Sequence, residues 1–471
     1  MTLDPQHISR FAAIVGERHA LTAPEDIAPY VSEPRGLYGG VTPLVLRPAN
    51  TEEVSRIMRL ATETRTPIVP QGGNTGLVGG QMPDGSGTQV VVSLSRLNRI
   101  REIDLASNTA TVEAGVVLQT LQEAAEEKGR LFPLALASQG SCEIGGNLST
   151  NAGGIGALAY GTARDLCLGI EVVLPTGEVL DDLRKLKKDN TGYDLKDLFI
   201  GAEGTLGVIT AAVVKLFPMP KGRELAWASV ASPAKALELY QKATEIAGPS
   251  LTMFELMAQT PLDFVLRHMP ETAYPLTEES PWHVLMEVSS ARSAGDAREV
   301  MAILLSEAYE EGLISDATVA QNEGQRGKLL HLRESMSEAQ KFEGGSIKHD
   351  ISVPVVAMPE FLERAERAVQ AVVPGARVAC FGHMGDGNLH YNVSQPVGMD
   401  KAEYLRRYAA MNEAVYAIVQ ELGGSFSAEH GIGSLKREQL VATQPAVATE
   451  LMRRIKAAFD PAGIMNPGKV I

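Results

Sequence analysis

The stretch "GHMGDGNLHYN", residues 382–392, places two histidines and an asparagine around two glycines. The whole chain has only nine histidines, so two beside one sharp turn suggest a shared chemical task. A strand ending at His383 and a second strand beginning near Leu389 would bring His383 and His390 together at one end of a hairpin. Residues two apart share a face of a strand, so Asn392 is expected to point the same way as His390.

A carboxylate stands further along the chain, at Glu429 in "FSAEHGIG", and His430 follows it directly. Two histidines and one carboxylate with an open position are the ligand set of a catalytic zinc site. The alternative is that the histidines cap turns and that Glu429 is a surface charge. The residues alone leave both interpretations open.

Candidate cations for an acidic substrate lie in "KLLHLRESMSEAQKFEGG" and "GSIKHDISVP". A helix would put Arg333 and Ser337 at positions i and i+4 on one face, and Lys348 would follow on a strand. A guanidinium can fork onto a carboxylate with two parallel hydrogen bonds. The alternative for Arg333 is a surface arginine beside Glu334. Arg377 is a second candidate partner for a substrate carboxylate, on composition alone.

Three glycine-rich stretches dominate the first half, at residues 70–80, 140–161 and 199–210. Glycine lets backbone N–H groups approach a phosphate closely, because no Cβ intervenes. Each stretch alone could be a tight turn, but three of them beside strand-like runs favour an extended anion-binding surface. None reads G-x-G-x-x-G, so the Rossmann fingerprint is absent, and "GIMNPGKV" lacks the Ser/Thr of a P-loop.

Composition limits the partners and the organisation. Acidic residues outnumber basic ones by 57 to 43 and no basic block occurs, so no nucleic-acid partner is expected. No leader-like or membrane-length apolar run is evident, so the sequence predicts no transmembrane segment and a cytoplasmic location. A chain of 471 residues exceeds one core. The texture changes near "LFPMPKGRE", so we expect domains at residues 1–217 and 218–455 and a docked tail at 456–471.

Several motifs together resemble a known family. "PQGGNTGLVGG", "IGGNLSTNAGG", "YGTARD" and "GAEGTLGVIT" resemble the FAD-binding domain of the vanillyl-alcohol oxidase type flavoproteins. "LRESMSEAQ", "GHMGDGNLH", "SAEHGIG" and the ending "NPGKV" narrow the resemblance to its D-2-hydroxyacid dehydrogenase branch, nearest the D-2-hydroxyglutarate dehydrogenases. The resemblance covers nearly the whole chain. It implies an α+β fold class: a two-subdomain PCMH-type FAD-binding domain, an α+β cap domain with an antiparallel sheet, and a C-terminal tail returning to the FAD domain.

The resemblance also implies the residues that hold FAD. They are Gln71, Gly72, Gly73, Asn74, Thr75, Gly76, Leu77, Gly79, Ser141, Gly145, Gly146, Asn147, Thr150, Asn151, Gly153, Gly154, Val208, Ile209 and Asn466. Some relatives bind FAD covalently through a histidine of this domain. Its only histidines here are His7 and His19, both before the glycine loops, so we predict non-covalent FAD. A bond through Cys142 or Cys167 is the alternative.

For the second half, the resemblance implies a divalent metal bound by His383, His390 and Glu429. Zinc is the first choice, and manganese or cobalt would suit the same ligands. It assigns substrate binding to Arg333, Ser337, Lys348 and Asn392, with serine at position 337 where the family has threonine. His430 is our candidate for the catalytic base, and its alternative roles are a fourth ligand or a structural hydrogen bond.

The expected reaction is oxidation of a D-2-hydroxyacid to the 2-oxoacid, with D-2-hydroxyglutarate first and D-lactate, D-malate and glycolate as alternatives. The metal would lower the pKa of the substrate hydroxyl while the C2 hydrogen leaves as hydride to flavin N5. Two other classes stay open: a metal-dependent hydrolase with structural glycine loops, and an idle flavin subunit of a multisubunit glycolate oxidase. The resemblance further implies a homodimer and, as electron acceptor, electron-transfer flavoprotein or a quinone.

Overall fold

The computed structural model describes residues 3–33, 36 and 39–471. The chain divides into two compact units. Unit 1 comprises Met1–Gly153, Tyr160–Met219 and Glu429–Ile471, and unit 2 comprises Gly154–Ala159 and Pro220–Ala428. The boundary expected after residue 217 therefore lies close to the observed crossing after Met219. The chain re-enters unit 1 at Glu429, well before the expected position 456.

Unit 1 begins with a small, mainly parallel sheet. Its elements are α1 (Pro5–Val15), β1 (Ala20–Leu21), α2 (Pro24–Val31), β2 (Val45–Leu46), α3 (Thr51–Thr64), β3 (Ile68–Gln71) and β4 (Val90–Ser93). The strand order is β1-β2-β4-β3, and β4 pairs parallel with β2 and β3. The helix α3 begins where the Asn50 side chain accepts a hydrogen bond from the backbone of Glu53 at 2.9 Å. The first glycine-rich loop starts where β3 ends.

A second, antiparallel sheet follows in unit 1. Its strands run in the order β5-β6-β10-β8-β9, and β7 and β11 form a separate pair. The elements of this part of the chain are β5 (Ile100–Asp104), β6 (Thr109–Glu113), α4 (Leu118–Glu126), β7 (Arg130–Leu131), α5 (Ile144–Ser149), α6 (Ala157–Tyr160), α7 (Ala163–Leu166), β8 (Cys167–Val173), β9 (Val179–Asp182), α8 (Lys196–Phe199), β10 (Val208–Lys215) and β11 (Phe217–Pro218). The first three residues of α6 are assigned to unit 2. The short helix α5 carries the second glycine-rich stretch.

Unit 2 is built on one antiparallel sheet with the order β15-β12-β14-β13-β18-β19-β16, and β17 also pairs with β19. Its elements are β12 (Gly222–Val230), α9 (Pro233–Ala247), β13 (Leu251–Ala258), α10 (Gln259–His268), β14 (Trp282–Ser290), α11 (Ala294–Glu310), β15 (Ala317–Val319), α12 (Glu323–Ala339), β16 (Ser346–Ile347), β17 (Asp350–Ser352), α13 (Met358–Val372), β18 (Arg377–His383), β19 (Asn388–Ser394), α14 (Lys401–Leu405) and α15 (Tyr408–Glu421). The antiparallel sheet predicted for the cap domain is therefore present.

The last segment of unit 1 contains α16 (Arg437–Thr443) and α17 (Ala446–Phe459) and then a tail. The tail pairs with β3: the N–H of Ile68 donates to the carbonyl of Ile464, and the N–H of Asn466 donates to the carbonyl of Ile68, each at 2.8 Å. The tail thus lies beside the strand that leads into the first glycine-rich loop. Within residues 3–33, 36 and 39–471, we find no helix with the length and apolar character that a membrane crossing requires.

Candidate functional site

The first two glycine-rich stretches lie against each other in unit 1. A Cβ added to Gly73 would come within 1.9 Å of the carbonyl oxygen of Ser141. A Cβ added to Gly145 would lie 2.6 Å from the Cβ of Ala114. Contacts this close leave no room for a Cβ atom at either position unless the neighbouring atoms move. Glycine at these positions is therefore required by packing within the protein itself.

Gln71 and four neighbouring side chains leave buried polar atoms unpaired. The Nε2 of Gln71 donates to the carbonyls of Tyr30 and Gln81, both at 2.9 Å, whereas its Oε1 has no partner in the described chain. The same holds for Asn74 Oδ1, Glu143 Oε2, Asn147 Nδ2 and Asn466 Oδ1. Buried polar atoms normally have partners, because leaving them unpaired costs free energy. This donor and acceptor set fits a large polar ligand such as FAD.

The remaining residues predicted to hold FAD are distributed over both units. Thr75, Gly76, Leu77 and Gly79 belong to the loop after β3, and Thr150, Asn151 and Gly153 follow α5. Gly154 is the exception, because it is assigned to unit 2. Val208 and Ile209 open β10, and their side chains are buried in hydrophobic clusters. Only their backbone could therefore face a ligand.

In unit 2, the histidine pair sits where β18 and β19 meet. The strand β18 ends at His383, a short turn with a left-handed Gly387 follows, and β19 begins at Asn388. The ring centroids of His383 and His390 are 5.6 Å apart. The hairpin geometry expected from the glycines is confirmed. Asn392, which is buried, lies two residues beyond His390 on the same face of the strand.

Glu255 joins two of the predicted site residues, and sequence reasoning missed it. In the β13/β18 pair it lies opposite His383, and its Oε1 is 2.5 Å from Nδ1 of that ring. Its Oε2 accepts from Nε and Nη2 of Arg333 at 2.7 and 2.6 Å. Burial alone would raise the pKa of this carboxyl, but the positive charges and hydrogen bonds of Arg333 and His383 lower it to about 2. Its signal in the sequence is one acidic residue inside the buried strand "LTMFELMA".

Arg333 is therefore not the surface arginine of the alternative interpretation. It is 6% exposed, and its guanidinium also lies 4.6 Å above the ring of Phe381. Nε and Nη2 of the guanidinium both contact Glu255, and Nη1 is the nitrogen on the opposite side of the group from this carboxylate. The predicted helix through this region is confirmed as α12. Arg377, the other candidate cation, donates to the carboxylate and the carbonyl of Glu343, so it serves the structure of unit 2.

The structure brings Ser337 and Lys348 together, although Lys348 lies between two strands and not on one as predicted. Ser337 lies one helical turn after Arg333 on α12, and it is exposed. Lys348 lies between β16 and β17, and its Nζ is 3.5 Å from the hydroxyl of Ser337, at the limit for a hydrogen bond. A hydroxyl and an ammonium group at one exposed place can bind a carboxylate.

Glu429 and His430 open the last segment of unit 1, directly after unit 2 ends at Ala428. The N–H of Ala428 donates to the carbonyl of Asp350 at 3.3 Å, and Asp350 lies opposite His390 in the β17/β19 pair. Consecutive α-carbons are about 3.8 Å apart. Glu429 is therefore one peptide bond beyond a residue that is hydrogen-bonded within unit 2.

Inside unit 1, the carboxylate of Glu429 faces the second glycine-rich stretch. A Cβ on Gly153 would lie 3.1 Å from Oε1 of Glu429. The turn that follows is fixed by Glu203, whose carboxylate accepts hydrogen bonds from the backbone of residues 432 and 433 at 2.7 and 2.8 Å. The "HGIG" turn is thus held by a buried acidic residue.

Comparison with known proteins decides the family. The model of the FAD binding domain matches residues 42–182, and the model of the C-terminal domain of FAD linked oxidases matches residues 219–470. The chain belongs to the FAD-linked oxidases. Both halves of this family are therefore present, in the order that the sequence motifs predicted.

The relatives of this FAD-linked oxidase agree with that assignment. The mitochondrial D-2-hydroxyglutarate dehydrogenase of Arabidopsis thaliana is 36% identical, over 100% of this chain and 82% of that protein. The mitochondrial D-2-hydroxyglutarate dehydrogenase of Danio rerio is 39% identical, over 92% of this chain and 79% of that protein. The structure of p-cresol methylhydroxylase with bound substrate has a TM-score of 0.75 at 16% identity, covering 99% of this chain and 96% of that one. This likeness confirms the predicted PCMH-type α+β fold.

Family membership settles two earlier expectations. The chain is an FAD-dependent oxidoreductase, so the hydrolase with purely structural glycine loops is excluded. The predicted cytoplasmic location is wrong, because the similar dehydrogenases of Arabidopsis, zebrafish and cattle are named as mitochondrial. Charge and hydropathy bear on solubility and association, not on the compartment, which is why composition misled the prediction.

A substitution in α5 tests whether FAD occupies the space between the loops. A Cβ on Gly146 would meet nothing within 4 Å. Alanine is favoured over glycine in a helix by up to about 1 kcal/mol, so Gly146→Ala should leave the fold intact. Because the added methyl group would enter the cofactor's space, we expect FAD binding to weaken at least about tenfold, or about 1.4 kcal/mol. The measurement is the melting temperature with and without excess FAD.

Gly145→Ala is the matched control for this substitution. Its Cβ would meet Ala114 at 2.6 Å, so overpacking should lower stability by about 1–3 kcal/mol even without FAD. If Gly146→Ala shows the same FAD-induced rise in melting temperature as the unaltered protein, the space beside Gly146 does not belong to the cofactor.

Proposed function

We propose that this FAD-dependent oxidoreductase oxidises D-2-hydroxyglutarate to 2-oxoglutarate with a divalent metal, zinc in first place. The observation that carries the proposal is the arrangement of the histidine pair. Glu255 binds Nδ1 of His383, and we assign Nε2 of this ring to the metal. A ring nitrogen of His383 and one of His390 lie within 4.8 Å of each other, a separation that two ligands of one ion can have.

Glu429 is the third ligand in this proposal. It follows Ala428 directly in the chain, and within unit 1 its carboxylate faces Gly153. Two imidazoles and one carboxylate suit zinc, and they would also accept manganese or cobalt. When bound, the metal would lower the pKa of a hydroxyl group that it contacts.

In this proposal the substrate carboxylates bind to Arg333 and Lys348, the two candidate cations of unit 2. Nη1 of Arg333 faces away from Glu255, and Lys348 and Ser337 form a second, exposed binding point. Asn392 supplies an amide on the same face of β19 as His390. A substrate with two carboxylates can use both points, whereas D-lactate and glycolate have only one carboxylate. This difference favours a 2-hydroxydiacid.

His430 removes the proton from the C2 hydroxyl of the substrate in this proposal. It follows the proposed ligand Glu429 directly in the chain, and we place the base and the metal at the same hydroxyl group. An imidazole has a pKa near neutrality and can take up a proton at physiological pH. FAD, when bound, would take the C2 hydrogen together with both electrons as a hydride.

We also propose that electrons leave the enzyme to electron-transfer flavoprotein or a quinone, and that the protein forms a homodimer. The sequence carries no dinucleotide fingerprint that would supply NAD as the acceptor. The FAD is non-covalent: among the described residues, Cys142 and Cys167 are buried, and burial raises the pKa of both thiols. Neither thiol is therefore readily available for a bond to the flavin.

An anaerobic visible spectrum tests the proposed function. The purified enzyme is mixed with D-2-hydroxyglutarate, and D-malate, D-lactate, glycolate and L-2-hydroxyglutarate are added in parallel samples. We expect D-2-hydroxyglutarate to bleach the oxidised flavin band, and the L-enantiomer to leave it unchanged. A sample treated with a chelator should not bleach, and added zinc should restore bleaching.

Other outcomes have defined meanings. If only D-lactate or glycolate bleaches the flavin band, the substrate is a monoacid and not the proposed diacid. Lys348 and Ser337 would then have no second carboxylate to bind. A flavin band that none of these acids bleaches, in an enzyme with its metal, would contradict the proposal and favour the idle-subunit interpretation. Bleaching that persists after complete removal of the metal would remove the metal from the mechanism.

A further inference from the structure

Glu143 is a buried carboxyl group that the proposed chemistry does not use. It is 6% exposed, and its Oε2 has no hydrogen-bond partner in the described part of the chain. Its backbone is fixed, because it bridges to Val117 and its carbonyl accepts from the N–H of Asn147 at 3.0 Å. The surrounding secondary structure therefore holds Glu143 in place, although no residue of the described chain bonds its Oε2.

The carboxyl lies between the two glycine-rich stretches. A Cβ on Gly72 would be 3.4 Å from both Cβ and Oε2 of Glu143, and 3.7 Å from the Cα of Gly146. Gly72 and Gly146 are both positions assigned to FAD, and a Cβ on Gly146 would meet open space. An unpaired oxygen at this place is available to a molecule bound between the loops.

We propose that Glu143 is a further FAD-binding residue, which acts as a neutral carboxylic acid and donates a hydrogen bond to an acceptor atom of the cofactor. An ionised carboxylate offers only acceptor oxygens and would repel the two phosphates of FAD. The protonated group has one O–H donor, which an acceptor-rich ligand can use. The inference depends on where FAD binds and not on the identity of the substrate or the metal.

The surroundings of Glu143 support the neutral form. Burial raises its pKa to about 8. The loop after β3 presents Gly72, the helix α5 presents Gly146, and the bridge presents the backbone of Val117, none of which carries a charge. The titratable neighbour is Cys142, whose thiol pKa is likewise raised, first of all by burial. The acid is therefore protonated below about pH 8 and ionises above it, so its contribution to FAD affinity is lost as the pH rises.

The test is the FAD dissociation constant between pH 6 and 9.5, measured by ultrafiltration of the holoenzyme with flavin fluorescence as the readout. We expect the dissociation constant of the unaltered protein to be constant below pH 8 and to rise up to tenfold per pH unit above it. Glu143→Gln keeps a buried N–H donor without a titratable proton, so its profile should stay flat across pH 8. Glu143→Leu removes the donor and the titratable proton, so its dissociation constant should not change across pH 8, and it should be roughly tenfold higher than the value of the unaltered protein below pH 8.

Glu127→Gln is the control, because Glu127 is exposed and its replacement changes the net charge equally. It should reproduce the profile of the unaltered protein. A second readout is proton exchange: binding of FAD at pH 8.5 should take up protons in the unaltered protein and none in Glu143→Gln. A rise above pH 8 that is equally large in Glu143→Gln would overturn the proposal, and so would Glu143→Leu binding FAD with unaltered affinity.

Discussion

Replacing His383 by alanine should remove the metal and lower turnover by at least about a thousandfold, while FAD stays bound. A catalytic metal contributes several kcal/mol to stabilisation of the transition state, and each 1.4 kcal/mol corresponds to tenfold in rate. FAD should remain, because His383 belongs to unit 2 whereas most residues assigned to FAD belong to unit 1. The measurements are metal content by mass spectrometry, flavin absorbance, and turnover with D-2-hydroxyglutarate.

His331→Ala is the matched control for the loss of an imidazole. His331 is exposed on α12, so its replacement should change neither metal content nor turnover. Glu429→Ala should reproduce the effect of His383→Ala, because both are proposed ligands of one ion. A His383→Ala enzyme that keeps a full complement of metal and full turnover would exclude the histidine pair as the metal site.

Arg333→Ala should lower the free energy of unfolding by about 3–5 kcal/mol, because it leaves the buried carboxylate of Glu255 without its main counter-charge. The side chain of Glu255 is 1% exposed, and it is bonded to Arg333 through two nitrogens. Truncation of Arg333 should therefore lower the stability of the fold as well as weaken binding of the substrate carboxylate. The measurement is urea unfolding followed by circular dichroism, with the metal and FAD contents of both proteins recorded.

Two further variants separate the buried charge from the lost contacts. Arg367→Ala removes an arginine whose side chain is 69% exposed, so stability should change by less than about 0.5 kcal/mol. The double variant Arg333→Met/Glu255→Leu removes both charges, and it should recover most of the lost stability without recovering substrate binding. If Arg333→Ala is as stable as the unaltered protein, the pair with Glu255 does not stabilise the fold.

Much of the fold could be predicted from local patterns in the sequence. The run "TEEVSRIMRLATET" corresponds residue for residue to α3, since an apolar repeat near 3.6 residues and an Asn cap mark both its face and its start. The hairpin with His383 and His390 could also be predicted, because its two histidines and its turn glycines all lie within residues 382–392. A local pattern can also mislead: "DKAEYLRRYAAMNEAVYAIVQEL", residues 400–422, has the composition of one long charged helix, whereas the structure divides it into α14 and α15.

The rest depends on pairing between distant segments, which a single sequence does not specify. Glu255 and His383 are separated by 128 positions, and they meet only because β13 and β18 are neighbours in the sheet. The register of β13 against β18 follows from the packing of the whole strands, so no local motif predicts the contact between these two residues. The return of the chain to unit 1 at Glu429 likewise depends on contacts between segments that are distant in the sequence. Family resemblance supplied the proposed metal ligands, but not Glu255, the carboxylate that binds one of them.

The tail beside β3 has a consequence for the order of events during synthesis. Asn466 donates to the carbonyls of Gly80 and Glu203 at 2.9 and 2.8 Å, and it follows Glu203 by 263 residues. A ribosome that adds about 5–20 residues per second needs roughly 10–50 s to make that interval. The first glycine-rich loops therefore leave the ribosome long before their last polar neighbour exists. A flavin site that includes Asn466, as proposed, is complete only after this interval has been synthesised.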